Sequence, residues 1–155
     1  MVHRVRPPNE GFWNGLGGKI KEGETPIACV LREMKEEANL DIRGIGAIRF
    51  SGIVTWTVQA ADNMLRLGMY CYIAEIPADY SVWEGSRSTE EGDLEWKPLS
   101  WVCNSNNAAV VSNIPLFLPR MIKDGELQEF RMVYDDRGHT HSSCYPLPEA
   151  LTGTK

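Results

Sequence analysis

Between Thr25 and Leu40 the apolar positions follow a helical period. Ile27, Val30, Leu31 and Met34 stand at i, i+3, i+4 and i+7, which predicts a helix with one stripe turned to a core. Thr25 is a good N-cap, and Pro26 follows at the first helical position, where its missing N–H costs nothing. Asn39 stands just past the predicted end, where a left-handed backbone is wanted and Asn is second only to Gly. After Leu40 the pattern changes to runs of β-branched and aromatic residues. Asp41–Val58 and Met64–Ile76 are expected as two long strands joined near Gln59–Asn63. Residues 77–92 form a polar, acidic stretch expected as a loop. A short strand is expected at Leu94–Lys97, closed by Pro98, and a turn at Asn104–Asn107. Ile114–Lys123 predicts a helix capped by Asn113 and stopped by Gly125, with Pro119 forcing a kink or break. Leu127–Tyr134 alternates as a last strand, and the tail from Asp135 to Lys155, with little periodicity, is expected to be poorly ordered.

At the chain's start, Val2–Arg6 alternates weakly and Pro7–Gly11 is a turn cluster. Only 17 residues precede Gly18, room for the end of a strand. The order strand, loop, helix, strands, loop, strand, helix, strand predicts one α/β (α+β) domain spanning residues 1–155, a mixed sheet with helices packed on it.

The helix also carries a second arc. Glu33, Glu36 and Glu37 repeat at i, i+3, i+4, which at ~100° per residue crowds three carboxylates within roughly a quarter-turn. Like charges so placed repel, and a hard divalent cation, Mg²⁺ or Mn²⁺, relieves them through oxygen ligation. A Glu-rich face alone is ordinary solvated surface. Here, however, a Gly-Gly-Lys turn precedes it, Glu24 lies six residues after Gly18, and Arg32 eight after Glu24. The stretch reads G-x5-E-x7-R-E-(aliphatic)-x-E-E-x-N-(aliphatic). At residue frequencies of about 5–7%, six fixed identities match by accident at fewer than about one in ten million starting points. Phe12–Ile20 is not a P-loop, because Trp13 and Ile20 stand where Gly and Ser or Thr are needed.

This spacing resembles the Nudix box of the Nudix hydrolases, with Asn39 in place of the family's Gly. The flanking FWNGLGGKI, EEGDLEWKPL and GELQEFRMVY segments resemble the branch that hydrolyses oxidised purine nucleoside triphosphates such as 8-oxo-dGTP. The resemblance implies a mixed sheet between helices, with a first strand shortened relative to the family, which would leave a sheet edge open beside Val2–Arg6. It implies Mg²⁺-dependent cleavage of a phosphoanhydride, with Mn²⁺ as substitute, releasing nucleoside monophosphate and pyrophosphate. Glu33, Glu36 and Glu37 are then the metal ligands, joined by the Gly17 carbonyl and by Glu91, with Glu90 as the neighbouring choice. Either Glu33 or the loop glutamate serves as general base. Arg32 is read as an orienter of Glu24 or of a ligand glutamate. Gly18 and Lys19 meet the phosphates, Asn14 reads the purine edge, and Asn113 is a second reader or a plain helix cap. Hydrolysis of ADP-ribose or another nucleotide sugar, and nucleotide sensing without catalysis, are the competing readings.

Composition adds exclusions. A formal charge of -5 and a pI near 5.2 argue against non-specific binding to nucleic-acid polymers, though not against a nucleotide. No run approaches the ~18 apolar residues of a membrane span, and Met1–Glu10 lacks a signal peptide's apolar segment. Cys29, Cys71, Cys103 and Cys144 lie far apart with no C-x-x-C, which suits a reduced, cytoplasmic protein. The oligomeric state is left open, a homodimer included.

Overall fold

The computed structural model describes residues 1–60, 63–80, 85–123, 126–135 and 138–148. Two four-stranded sheets carry the architecture. The first, in order β2-β1-β6-β5, is antiparallel and short: β1 is Val2–Arg4, β2 Trp13–Asn14, β5 Arg87–Ser88 and β6 Gly92–Leu94. The second, in order β4-β3-β7-β8, contains β3 (Ile48–Ala60), β4 (Asn63–Ala74), β7 (Gln128–Asp135) and β8 (Gly138–Pro146). It is mixed, because β3 and β7 run parallel while its other pairs are antiparallel.

Helices flank the second sheet. The helix α3 (Ile114–Ile122) buries Ile114, Phe117 and Met121 against Val54, Phe130 and Met132, joined by Val102 of α2 (Leu99–Val102). On the other side, the helix α1 (Pro26–Ala38) packs Val30, Leu31 and Met34 with Val2, Leu94, Ile48 and Ala74. Cys71 and Ile73 of β4 turn to the first cluster and Ala74 to the second, as strand alternation requires. The expected α+β arrangement, a mixed sheet between helices, is therefore present. No edge is open beside β1, which pairs with β2 on one side and β6 on the other. No helix among the described residues is long and apolar enough to cross a membrane.

Several boundaries differ from those expected. Residues 41–47 are not strand: Asp41 folds onto Arg43 and Gly44 takes φ 78°, so the long strand starts only at Ile48. The short strand expected at Leu94–Lys97 falls earlier, at Gly92–Leu94. Pro119 does not break α3, and Arg49 caps that helix's end by donating to the Met121 and Ile122 carbonyls at 3.1 and 2.9 Å. Gly125, the expected stop, lies outside the described residues, as do residues 136–137 and 149–155 of the stretch predicted to lack order. Within that stretch, however, Gly138–Pro146 forms β8, paired along β7.

On the far face of the second sheet, buried Glu129 accepts hydrogen bonds from Thr55 Oγ1 at 2.7 Å, from Arg131 Nη2 at 2.9 Å and from Arg66. Arg131, first, and Thr55 hold its carboxyl down at about 2. Arg131 in turn lies 4.4 Å from the Tyr145 ring, which joins β7 to β8.

Candidate active site

α1 is placed by its ends. Thr25 Oγ1 accepts the Ala28 N–H at 3.3 Å, and Pro26 opens the first turn. At the other end Asn39 takes φ 52°, and the N–H groups of Asn39 and Leu40 donate to the Lys35 and Met34 carbonyls. The helix's polar arc then faces the loop that runs from Gly15 to Gly23.

Arg32 organises that junction. Its Nε and Nη2 fork onto Glu24 at 2.8 and 3.0 Å, Nη1 donates to Glu33 Oε1 at 2.5 Å and Glu36 Oε2 at 3.0 Å, and Nη2 reaches the Lys19 carbonyl at 3.2 Å. The Arg32 fork, helped by the Lys21 N–H, holds the Glu24 carboxyl down at about 2, and Arg32 itself is pushed further above its ordinary range. One guanidinium therefore ties the loop to the helix and fixes one oxygen each of Glu33 and Glu36. Their second oxygens stay outside these bonds.

The glycines explain the close approach. A Cβ on Gly18 would fall 2.2 Å from Glu33 Oε1, so only glycine lets that carboxylate lie against the loop. The Gly17 N–H donates to Glu37 Oε2 at 3.0 Å, and its φ of 141° belongs to glycine. Glu91 is drawn in from the start of β6 by Arg4 at 3.3 Å and by the Val5 N–H on its own carbonyl. Burial pushes the Glu37 carboxyl up to about 6, and the charges of Glu33 and Glu91 add to the rise against the opposing Gly17 N–H and Arg4. The charges of Glu33 and Glu91 are thus felt at the half-buried Glu37 carboxyl.

Among the described residues, no three His, Cys, Asp or Glu side chains form a ready-made cation cage. The donor set nonetheless fits a hard cation. Every candidate ligand is an oxygen: Glu33, Glu36, Glu37, Glu91 and the Gly17 carbonyl. The like-charge pressure on Glu37 is also what such an ion would relieve.

The remaining sequence-derived residues divide. Asn14 lies on β2, and its Oδ1 accepts the adjacent Gly15 N–H at 2.9 Å. Lys19 contributes its carbonyl to Arg32. Asn113 makes no side-chain cap bond to α3, in contrast to the cap expected; its backbone is already helical, and its Nδ2 donates to Tyr134 Oη at 3.0 Å. The structure does not join it to the box.

Sequence reasoning gave no binding role to Ser105, Asn106, Asn107, Ala108, Val110, Ser112 and Pro115. With Phe12 they line a hollow of about 320 Å³ in which Asn106, Asn107 and Ser112 supply the polar wall and Val110 and Pro115 the apolar one. Trp13 bonds this segment to β2: its N–H donates to the Ala109 carbonyl at 2.8 Å and its carbonyl accepts the Val111 N–H at 3.0 Å. The Trp13 ring is itself fixed, stacked on His3 at 5.0 Å and covered by the Lys97 ammonium at 4.0 Å. The polar NSNN reads only as a turn, and no periodic signal marks it as a wall.

The NUDIX domain family model matches residues 1–120. Among similar proteins, the uncharacterized Nudix hydrolase YvcI of Bacillus subtilis (strain 168) is 25% identical over 146 residues, covering 94% of this chain and 78% of that protein. The NAD-capped RNA hydrolase NudC of Vibrio vulnificus (strain CMCP6) is 30% identical over 86 residues, 56% of this chain and 28% of its own length. An 8-oxo-dGTP diphosphatase of Proteus vulgaris is 47% identical over 32 residues, 21% of this chain and 29% of its own length.

Proposed function

The chain belongs to the Nudix family, whose hydrolases act on phosphoanhydride bonds, and from that premise we propose that it is a Mg²⁺-dependent pyrophosphohydrolase. Its substrate is a nucleoside triphosphate of the oxidised-purine class, 8-oxo-dGTP-like, cleaved to the monophosphate and pyrophosphate. The observation that carries the reading is the geometry of the box: Glu37 on the Gly17 N–H, Glu33 against Gly18, and Arg32 holding helix and loop together. The short match to the 8-oxo-dGTP diphosphatase supports the substrate class.

In this reading Glu33, Glu36, Glu37, Glu91 and the Gly17 carbonyl hold Mg²⁺, with Mn²⁺ as substitute. When bound, the ion neutralises charge gathering on the phosphate oxygens. The chain's own work is positioning. Arg32 keeps Glu33 and Glu36 aimed at the loop, while the Gly17 N–H fixes the Glu37 rotamer. Arg4 tethers Glu91. Glu33 or Glu91 takes the proton of the attacking water. Lys19 supplies a cation to the phosphate chain, and the Asn14 amide, both donor and acceptor, meets the purine edge.

A panel of 8-oxo-dGTP, dGTP and ADP-ribose with product identification tests the proposal. Monophosphate and pyrophosphate from 8-oxo-dGTP, lost in EDTA and in Glu37→Gln, are expected; undiminished turnover in EDTA defeats it. The second reading, cleavage of ADP-ribose or another nucleotide-linked compound, draws on the longer match to the NAD-capped RNA hydrolase. It prevails if ADP-ribose has the highest kcat/KM.

A further inference from the structure

We propose that the chain forms a closed dimer in which β4 pairs antiparallel with β4 of a second copy, the two-fold axis passing at Leu67. The inference is independent of the hydrolase reading. β4 is the outer strand of its sheet, and five of its large apolar side chains are exposed: Met64 66%, Leu65 48%, Leu67 39%, Met69 36% and Tyr70 51%. The pleat sends Leu65, Leu67 and Met69 to one face and Met64 and Tyr70 to the other. A helix or loop laid on either face would leave the other wet. A strand continuing the sheet flanks both.

Natural edges are guarded by proline, lysine, bulges or short strands. β4 has 12 residues, no proline and no lysine, and its register irregularity against β3, at Phe50/Gly52 opposite Tyr72 and Cys71, lies just past Tyr70, the last residue of the proposed pairing. Its one charged residue is Arg66, which is already directed inward onto Glu129.

The choice of a second copy as occupant follows from self-complementarity. With Leu67 opposite its symmetry mate, Leu65 faces Met69 of the other copy and Met64 faces Tyr70, so all five exposed side chains meet apolar partners. Arg66 falls opposite Gly68, which offers room and no charge. A shift of the axis to Arg66 would set two guanidinium groups against each other. The arrangement is isologous and closes, consuming the β4 edge of each copy in one eight-stranded sheet with β8 outermost at both ends.

The test is the mass of the full chain in solution by light scattering and sedimentation equilibrium, at micromolar concentrations. Twice the 17.4 kDa chain mass is expected. Leu67→Lys, which places like charges across the axis, is expected to halve the mass or raise the dimer dissociation constant at least about tenfold. Should that variant fold poorly, cysteine substitution gives a readout that needs no disruption. Under mild oxidation Leu67→Cys links to its own symmetry mate, whereas Leu65→Cys crosslinks only in the double variant with Met69→Cys, position 65 of one copy to position 69 of the other, the bridges located by mass spectrometry. A monomeric wild-type mass, an open ladder of larger oligomers, or crosslinks that ignore this register would overturn the proposal.

Discussion

Replacing Gly18 with alanine separates the geometry of the box from its stability. The added Cβ meets Glu33 Oε1 at 2.2 Å, while ordinary contact begins at 3.4 Å, so the carboxylate must retreat by about 1.2 Å. The atom displaced is the same one that accepts from Arg32 Nη1 at 2.5 Å. Because the obstacle is the end of a side chain and not backbone, the fold can yield cheaply, losing about 1 kcal/mol for one weakened charge-assisted hydrogen bond. In a domain of this size that is roughly 2–4 °C in Tm. A reacting group misplaced by about 1 Å costs on the order of 10²-fold in rate. Gly18→Ala is therefore expected to lower kcat/KM for nucleoside triphosphate hydrolysis about 10²-fold with little loss of Tm. Gly15→Ala, where no atom lies within 4 Å of the new methyl, is the control. Pyrophosphate release and thermal unfolding on the two variants decide the matter. Activity of Gly18→Ala within threefold of wild type would refute the role given to Glu33, and equal losses in both variants would refute the steric argument.

Other expectations follow from the same contacts. Glu37→Gln keeps an acceptor for the Gly17 N–H but removes a half-buried charge opposed by Glu33 and Glu91; in EDTA its Tm should rise by a few degrees, about 1 kcal/mol after solvent screening, while turnover is lost, and a lower Tm would count against the acidic pressure described. Glu129 is held at about 2 in the fold against its ordinary 4.5, so its stabilisation is complete above pH 4.5 and drains away as pH falls toward 2. The ceiling of about 3 kcal/mol shrinks to about 1–2 because Arg66 and Arg131 are half exposed; urea unfolding at pH 6 and pH 3 should show this slope in wild type and a flatter one in Glu129→Gln. Asn39 sits at φ 52°, so Asn39→Gly should hold or raise stability by up to about 1 kcal/mol and Asn39→Ala lower it by about 1; the two variants' Tm values moving together would contradict the cap.

What could be read in the chain beforehand was local. α1 carried its own stripe, cap, first-turn proline and stop within 16 residues of sequence, Thr25 to Leu40; the cap, proline and stop appear as expected, and of the stripe Val30, Leu31 and Met34 pack in the core. β8 was illegible because its order comes from pairing with β7 and not from any alternation of its own. Asn113 looked like a cap, yet its partner is Tyr134, 21 residues on, which no local rule supplies. The crowding of Glu33, Glu36 and Glu37 was visible from spacing alone. That Arg32 would take up one oxygen from two of them was only half visible, since its i,i+4 relation to Glu36 is local but its fork onto Glu24 depends on the loop's path.

That fork has a further consequence. Arg32 spans three carboxylates and a main-chain oxygen from a flat, rigid head, whereas lysine offers three donors radiating from a single point. The commonest conservative exchange between basic residues is thus closed at this position: preserving the charge while surrendering the plane would unlatch the loop from the helix.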